Sequence, residues 1–177
     1  MEVVKNREAA AAFEELAMPL FDQLYNFAHW LAQDRAEAED LVQETYAKAL
    51  RGFSSFQPGT NFRAWMYRIL RNTFLTSRTG LQAATVGLDL EEAAELPART
   101  ESPEAVLIDQ SQRETLQAAL QEIPAHYREV LLLCEVEEMS YKEIAETLSI
   151  PIGTVMSRLS RARGALRESL KKKMMKV

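Results

Sequence analysis

Cysteine, histidine and long apolar runs are scarce in this chain, and each shortage removes a class of protein. One cysteine, Cys134, in 177 residues permits no internal disulfide. With only His29 and His126 beside it, a structural zinc site lacks ligands, so neither a metal nor a cofactor is expected. No apolar stretch approaches the ~18–20 residues that span a bilayer. The N-terminal MEVVKNREAAAAFEEL lacks the order of a signal peptide, so a cytoplasmic protein without membrane insertion is expected. Period-2 alternation, Asn-Gly or Asp-Gly turns and internal repeats are also absent, which argues against a β fold. So are a P-loop, a Gly-x-Ser-x-Gly elbow, a His-Glu-x-x-His helix and a carboxylate pair in a catalytic context. Nothing here reads as an enzyme.

What is present is a globular composition, 47% apolar and 27% charged, with its charge segregated. The net −5 speaks against a polyanion partner only as an average. From Thr45 to Thr79 there are six cations (Lys48, Arg51, Arg63, Arg68, Arg71, Arg78) and no carboxylate. From Thr154 to Lys176 there are eight cations against Glu168 alone. Residues 81–110, between them, carry one basic and seven acidic groups. Two basic tracts split by an acidic stretch suggest two polyanion contacts on one chain.

Apolar spacing predicts helix almost throughout. One stripe runs through 13–31 (Phe13, Leu16, Leu20, Leu24, Phe27, Leu31) and another through 36–51 (Leu41, Val42, Tyr46, Ala49, Leu50). Gly52 reads as the second helix's C-terminal cap. An exposed, flexible loop, 53–60, then leads to a third helix, Asn61 to about Ser77, with Phe62, Trp65, Met66, Ile69 and Phe74 inward. Residues 81–104, with Gly87, Pro97 and Pro103, read as an acidic linker reaching at most ~80 Å at ~3.3 Å per residue. Four more helices are expected after residue 105, broken at Pro124, around Glu138–Ser140 and at Ile150–Gly153. The expected fold is all-α: two small helical domains, 1–80 and 105–177, on a flexible acidic tether.

The segment SYKEIAETLSIPIGTVMSRLSRARGAL is the most informative. Ser140 with Glu143 fits a capping box that opens a short helix, and Ser149 to Gly153 supply a tight turn. The next helix buries Val155, Leu159, Ala162 and Leu166 and turns Met156, Ser157, Ser160, Arg161 and Gly164 outward. Small outward residues let a backbone approach a DNA groove, and arginine can take guanine in two hydrogen bonds. Arg158, Arg163, Arg167 and Lys171–Lys173 would neutralise phosphates around it. In the other basic tract, Trp65, Tyr67, Arg68, Arg71, Asn72 and Arg78 combine aromatic rings, an amide and cations, which suits unpaired bases. Core packing competes for Trp65. Cys134, in Val130-Leu-Leu-Leu-Cys134, reads as a core thiol.

The helix-turn-helix string resembles the promoter-reading element of bacterial sigma factors of the extracytoplasmic-function (ECF) group. AEDLVQETYAKALRGFSSFQPGTNFRAWMYRILRNTFL resembles that family's core-polymerase and −10 element domain. The resemblance covers about 10–80 and 105–172. It implies binding to core RNA polymerase through Asp40, Gln43 and Glu44. It implies capture of single-stranded −10 bases by Asn61, Arg63, Trp65, Tyr67, Arg68, Arg71, Asn72 and Thr76, with a flipped base at Asn72. The −35 duplex would be read by Thr154, Met156, Ser157, Arg158, Ser160, Arg161 and Arg163. Met156 replaces a basic residue common in the family, and Thr76 an Asn, which bears on the base sequences preferred. An anti-sigma protein is the expected off-switch, and the acidic linker would thread channels of the polymerase. The competing expectation is a dimeric helix-turn-helix regulator with an N-terminal ligand-sensing domain.

Overall fold

The computed structural model describes residues 1–79 and 110–176; the linker reading, 81–104, lies outside the described residues. The described residues fall into two compact units, one drawn mainly from residues 1–79 and the other from residues 110–145 and 150–176. Among the described residues there is no strand, and no helix is long and apolar enough to cross a membrane.

In the first unit, α1 spans Glu2–Ala17 and inserts Phe13 and Ala17 into the core, while Leu16 stays exposed. The expected single helix over 13–31 is broken. Pro19 cannot continue an α-helical hydrogen-bond ladder, and Met18–Leu20 form a 3-10 turn before α2, Phe21–Ala32. α2 buries Leu24, Phe27, Ala28 and Leu31 and ends at Gln33, whose left-handed backbone (φ 60°) lets its N–H reach the His29 carbonyl at 2.8 Å.

α3, Arg35–Gly52, starts at Asp34, whose Oδ1 accepts from the Glu37 N–H at 2.8 Å. It buries Ala38, Leu41, Val42, Thr45 and Ala49; the Thr45 hydroxyl satisfies itself on the Leu41 carbonyl at 2.7 Å. Tyr46, on the flank, donates its hydroxyl to the Ala17 carbonyl at 2.6 Å and so ties α3 to the end of α1. Gly52 is not a left-handed cap. Its φ is −90°, the chain tightens into the 3-10 turn Phe53–Ser55, and the Trp65 ring lies 3.9 Å from where a Gly52 Cβ would stand. α4, Phe62–Thr79, buries Ala64, Met66, Tyr67, Leu70, Thr73 and Phe74.

The second unit holds α5 (Gln110–Glu122), α6 (Ala125–Glu135), the start of α7 (Tyr141–Leu148) and α8 (Ile152–Met174), and buries Leu120, Val130, Leu133, Ile144, Val155 and Leu159. The three breaks fall where proline and the polar corner place them. Arg128 closes the first corner by donating to the carbonyls of Leu120, Gln121 and Ile123, a cation on the bare end of α5. The expected capping box is formed in both directions: Glu143 N–H to Ser140 Oγ at 3.1 Å, and Ser140 N–H to Glu143 Oε2 at 2.9 Å. Ser149 turns the chain through a left-handed conformation (φ 55°), Pro151 ends the turn, and α8 begins two residues earlier than Thr154.

Candidate nucleic-acid interface

On α4, Asn61, Trp65, Arg68, Asn72 and Thr76 are separated by four, three, four and four residues, which lines them along one stripe opposite the buried face. Asn72 and Thr76 are exposed, and the Thr76 hydroxyl folds back onto the Asn72 carbonyl at 2.8 Å. Asn61 stands at the head of the stripe as the helix cap, its Oδ1 accepting from the Ala64 N–H at 3.0 Å. Its carbonyl accepts from Trp65 N–H at 3.1 Å. Asn61, expected among the −10 contacts, therefore uses its side-chain oxygen to cap α4. Arg71 flanks the stripe, half-buried.

Tyr67 and Arg63 are not on this stripe. Tyr67 is 0% exposed, with its ring 5.2 Å from that of Phe27, and Arg63 lies over the Tyr67 ring at 5.7 Å. A ring enclosed by protein has no face for a base, so the expected stacking role of Tyr67 is replaced by core packing. Trp65 divides the two readings. It is half-buried, with Phe56 and Phe62 behind it at 5.2 and 5.6 Å, and it stands on the outward stripe.

The loop 53–60 is exposed at Ser54, Ser55 and Gln57–Thr60, as expected, and anchored by its two phenylalanines. Phe53 and Phe56 are half-buried and stack nearly parallel, 9° between planes, and each meets Phe62 edge to face. Gln57–Thr60 is turned by Gly59 at φ 86° and fastened by the Thr60 hydroxyl on the Gln57 carbonyl. Sequence reasoning missed Phe56 as a brace for Trp65. The Phe53-x-x-Phe56 pair just before α4 was the available signal.

Asp40, Gln43 and Glu44 are all exposed on α3, and Leu50, 48% exposed, extends their face. Glu44 also pairs with Lys48 at 3.0 Å, and the Lys48 ammonium donates to Thr73 on α4. Glu37 belongs to a different contact, an ion pair with Arg78 on α4 at 3.0 Å.

On α8, Val155, Leu159 and Ala162 are buried and Leu166 half-buried, as the spacing requires. Met156 is 43% exposed. Gly153, Ser157, Ser160 and Gly164 follow one another at four, three and four residues on the face opposite the core, with Arg161 beside them. A Cβ built on Gly153 or Gly164 meets nothing within 4 Å. Packing inside the unit therefore does not demand these glycines, although an interior helical glycine costs about 1 kcal/mol relative to alanine.

Arg163 and Lys173, among the seven cations of this helix, are held by carboxylates of its own unit. Arg163 donates to Glu135 at 2.7 and 3.0 Å, and Lys173 to Glu122 at 2.7 Å. Glu122 also accepts from the Ser169 hydroxyl, and the Lys173 and Ser169 bonds together hold its carboxyl below the usual range. Burial, the largest single influence, opposes the charge of Arg163, but Glu135, with smaller help from Tyr141 and Cys134, leaves it raised above the usual range. Arg163 thus lies between helices and is not a free phosphate neutraliser. Cys134 is half-buried rather than fully enclosed; burial, reinforced by Glu135, raises its thiol, against the pull of Arg163 at 3.9 Å. Among the described residues no cluster of His, Cys, Asp or Glu could hold a metal ion.

Residues 16–83 match the family model described as sigma-70 region 2, and residues 113–166 that described as sigma-70, region 4. The ECF RNA polymerase sigma factor SigW of Bacillus subtilis is 31% identical over 168 residues, covering 90% of this chain and 89% of that protein. EcfG of Rhodopseudomonas palustris is 34% identical over 160 residues, covering 84% and 86%. SigE of Mycolicibacterium smegmatis is 35% identical over 94% of this chain, which spans 65% of that longer protein. Among solved structures, the sigma factor RpoE of Bartonella quintana, in complex with the anti-sigma factor NepR, superposes with a TM-score of 0.67 at 33% identity. That match covers 90% of this chain and 97% of RpoE. The match of the N-terminal half to region 2 leaves no support for a ligand-sensing domain there. The chain belongs to the ECF sigma factors, the family of RNA polymerase subunits that direct transcription to promoters.

Proposed function

We propose that this chain joins core RNA polymerase, brings it to a subset of promoters and helps to open them, with the two units dividing the work. Residues 1–80 dock on the polymerase through Asp40, Gln43 and Glu44. They hold the melted −10 strand along Trp65, Arg68, Asn72 and Thr76, with Arg71 neutralising backbone charge. Residues 105–177 read the −35 duplex with the outer face of α8, from Thr154 through Met156, Ser157, Ser160 and Arg161, with Arg158 on phosphates. Residues 81–104 join the two. The chain performs no chemistry of its own; the polymerase does.

One observation carries this reading. The acid-free helix α4 presents a half-buried aromatic ring and an exposed amide on one stripe, while α8 presents small residues and α7 before it opens on a formed capping box. The first arrangement suits unpaired bases, which offer a stacking face and hydrogen-bonding edges. The second suits a helix whose backbone must enter a major groove. The complex of RpoE with NepR supports an anti-sigma protein as the off-switch of this chain as well. Run-off transcription from randomised promoters, with purified core polymerase, tests the proposal. Transcripts should require the chain and share sequence elements upstream of their start sites. Transcription equal to that of core polymerase alone overturns it.

A further inference from the structure

We infer that Arg163 is a positioning residue, which sets the pose of the recognition helix by bonding Glu135 at the end of α6 and makes no phosphate contact. The inference rests on the −35 role proposed above for α8. Family resemblance implies a DNA contact at this position, and the geometry points elsewhere.

Arg163 Nε and Nη2 both donate to Glu135 Oε1, at 3.0 and 2.7 Å, and each side chain keeps only 31% of its exposure. Glu135 is the last residue of α6, where the helix dipole disfavours a carboxylate. Glu137 and Glu138 follow it, and no cation occurs from Glu129 to Tyr141. This acidic corner leads directly into Ser140, the cap of α7. Drawing Arg163 onto a phosphate would leave Glu135 uncompensated at a helix end, beside two further acids. Holding it in place pins α8, one turn beyond Ser160, to the helix from which the helix-turn-helix departs. Arg167, one turn further along α8, is exposed and makes the natural comparison.

Salt dependence separates positioning from phosphate contact. Each phosphate neutralised contributes about 0.9 to the slope of log K against log salt concentration. The experiment uses holoenzyme assembled from core polymerase and the full chain. Its ligand is a duplex promoter recovered from the randomised run-off pool, and binding is measured by fluorescence anisotropy over a KCl series. Wild-type binding comes first; its absence would remove the −35 reading itself. With that binding in hand, Arg163→Gln and Glu135→Gln should each weaken it by roughly three- to tenfold, with the slope unchanged. Arg167→Gln should lower the slope by about 0.9. The exchanged pair, Glu135→Arg with Arg163→Glu, should recover binding that Arg163→Glu alone loses. The inference is overturned by a slope change in Arg163→Gln like that of Arg167→Gln. Undiminished binding by Glu135→Gln overturns it too, as does an exchanged pair no better than the single variant or unable to fold.

Discussion

Tyr67 lies against Phe27 with ring centroids 5.2 Å apart, and Trp65, two residues earlier on the same helix, faces the other way onto Phe56. Two aromatic residues in one basic tract therefore have different tasks. Tyr67→Ala should cost about 3–5 kcal/mol of unfolding free energy, as truncation of a buried aromatic does. Asn72→Ala, at an exposed position, should leave the unfolding midpoint nearly unchanged and reduce open-complex yield, with polymerase binding intact. Urea unfolding together with permanganate footprinting of the −10 region checks both. Equal open-complex yield would remove Asn72 from the site.

Phe56 tests whether the loop and α4 act as one surface. Phe56→Ala removes the ring behind Trp65 and part of the stack with Phe53. Open-complex yield should fall while affinity for core polymerase, measured by co-purification, stays within about twofold, a free-energy change under about 0.5 kcal/mol. Loss of polymerase binding would instead mean that the aromatic cluster supports the α3 face.

Gly164 should show stability and function moving in opposite directions. A Cβ there meets no neighbour within 4 Å. Gly164→Ala should therefore stabilise the second unit by up to about 1 kcal/mol through helix propensity. If the backbone approaches DNA at this point, the same methyl weakens −35 binding. Thermal unfolding and promoter affinity on the same preparation decide it; a stabilised variant that binds as well as wild type removes Gly164 from the contact.

The Ser140–Glu143 box sets where the helix-turn-helix begins. Ser140→Ala should cost about 1 kcal/mol. Urea denaturation of the full chain measures it, and a negligible change would show that packing of Ile144 and Leu148 alone fixes the start of α7.

Tyr46 gives a dependence at alkaline pH. Burial, with a smaller push from Asp22, raises its phenol to about 12. Unfolded, it ionises near ~10. Between those values the folded chain keeps a proton that the unfolded chain has released. Stability is thus full below about 10 and falls as pH rises through about 12. Tyr46→Phe should lose about 1 kcal/mol at neutral pH, with its hydrogen bond to Ala17. It should also decline less steeply with alkali than wild type in pH-dependent urea midpoints.

Sequence pattern reached furthest where the determinants are local. Ser140, Glu143 and Pro151 signal helix ends through their own backbone chemistry, so the helix-turn-helix boundaries were legible within two residues. Pro19 carried the same kind of signal, but the apolar stripe running past it outweighed it. Gly52 suggested a cap, whereas the ring packed beside it, Trp65, lies thirteen residues further on in α4. The division between Trp65 and Tyr67 depends on Phe27, and the pairing of Arg163 on Glu135, 28 residues distant. Spacing along one helix shows which residues share a face, not which partner that face will meet.

Sequencing of run-off transcripts from a randomised template pool, with wild type and two variants, tests the central division of labour most directly. Wild type should enrich two separate upstream elements; Asn72→Ala should erode the one nearer the start site, and Arg161→Ala the farther one. Enrichment of a single element, or equal loss of both in each variant, would contradict the account.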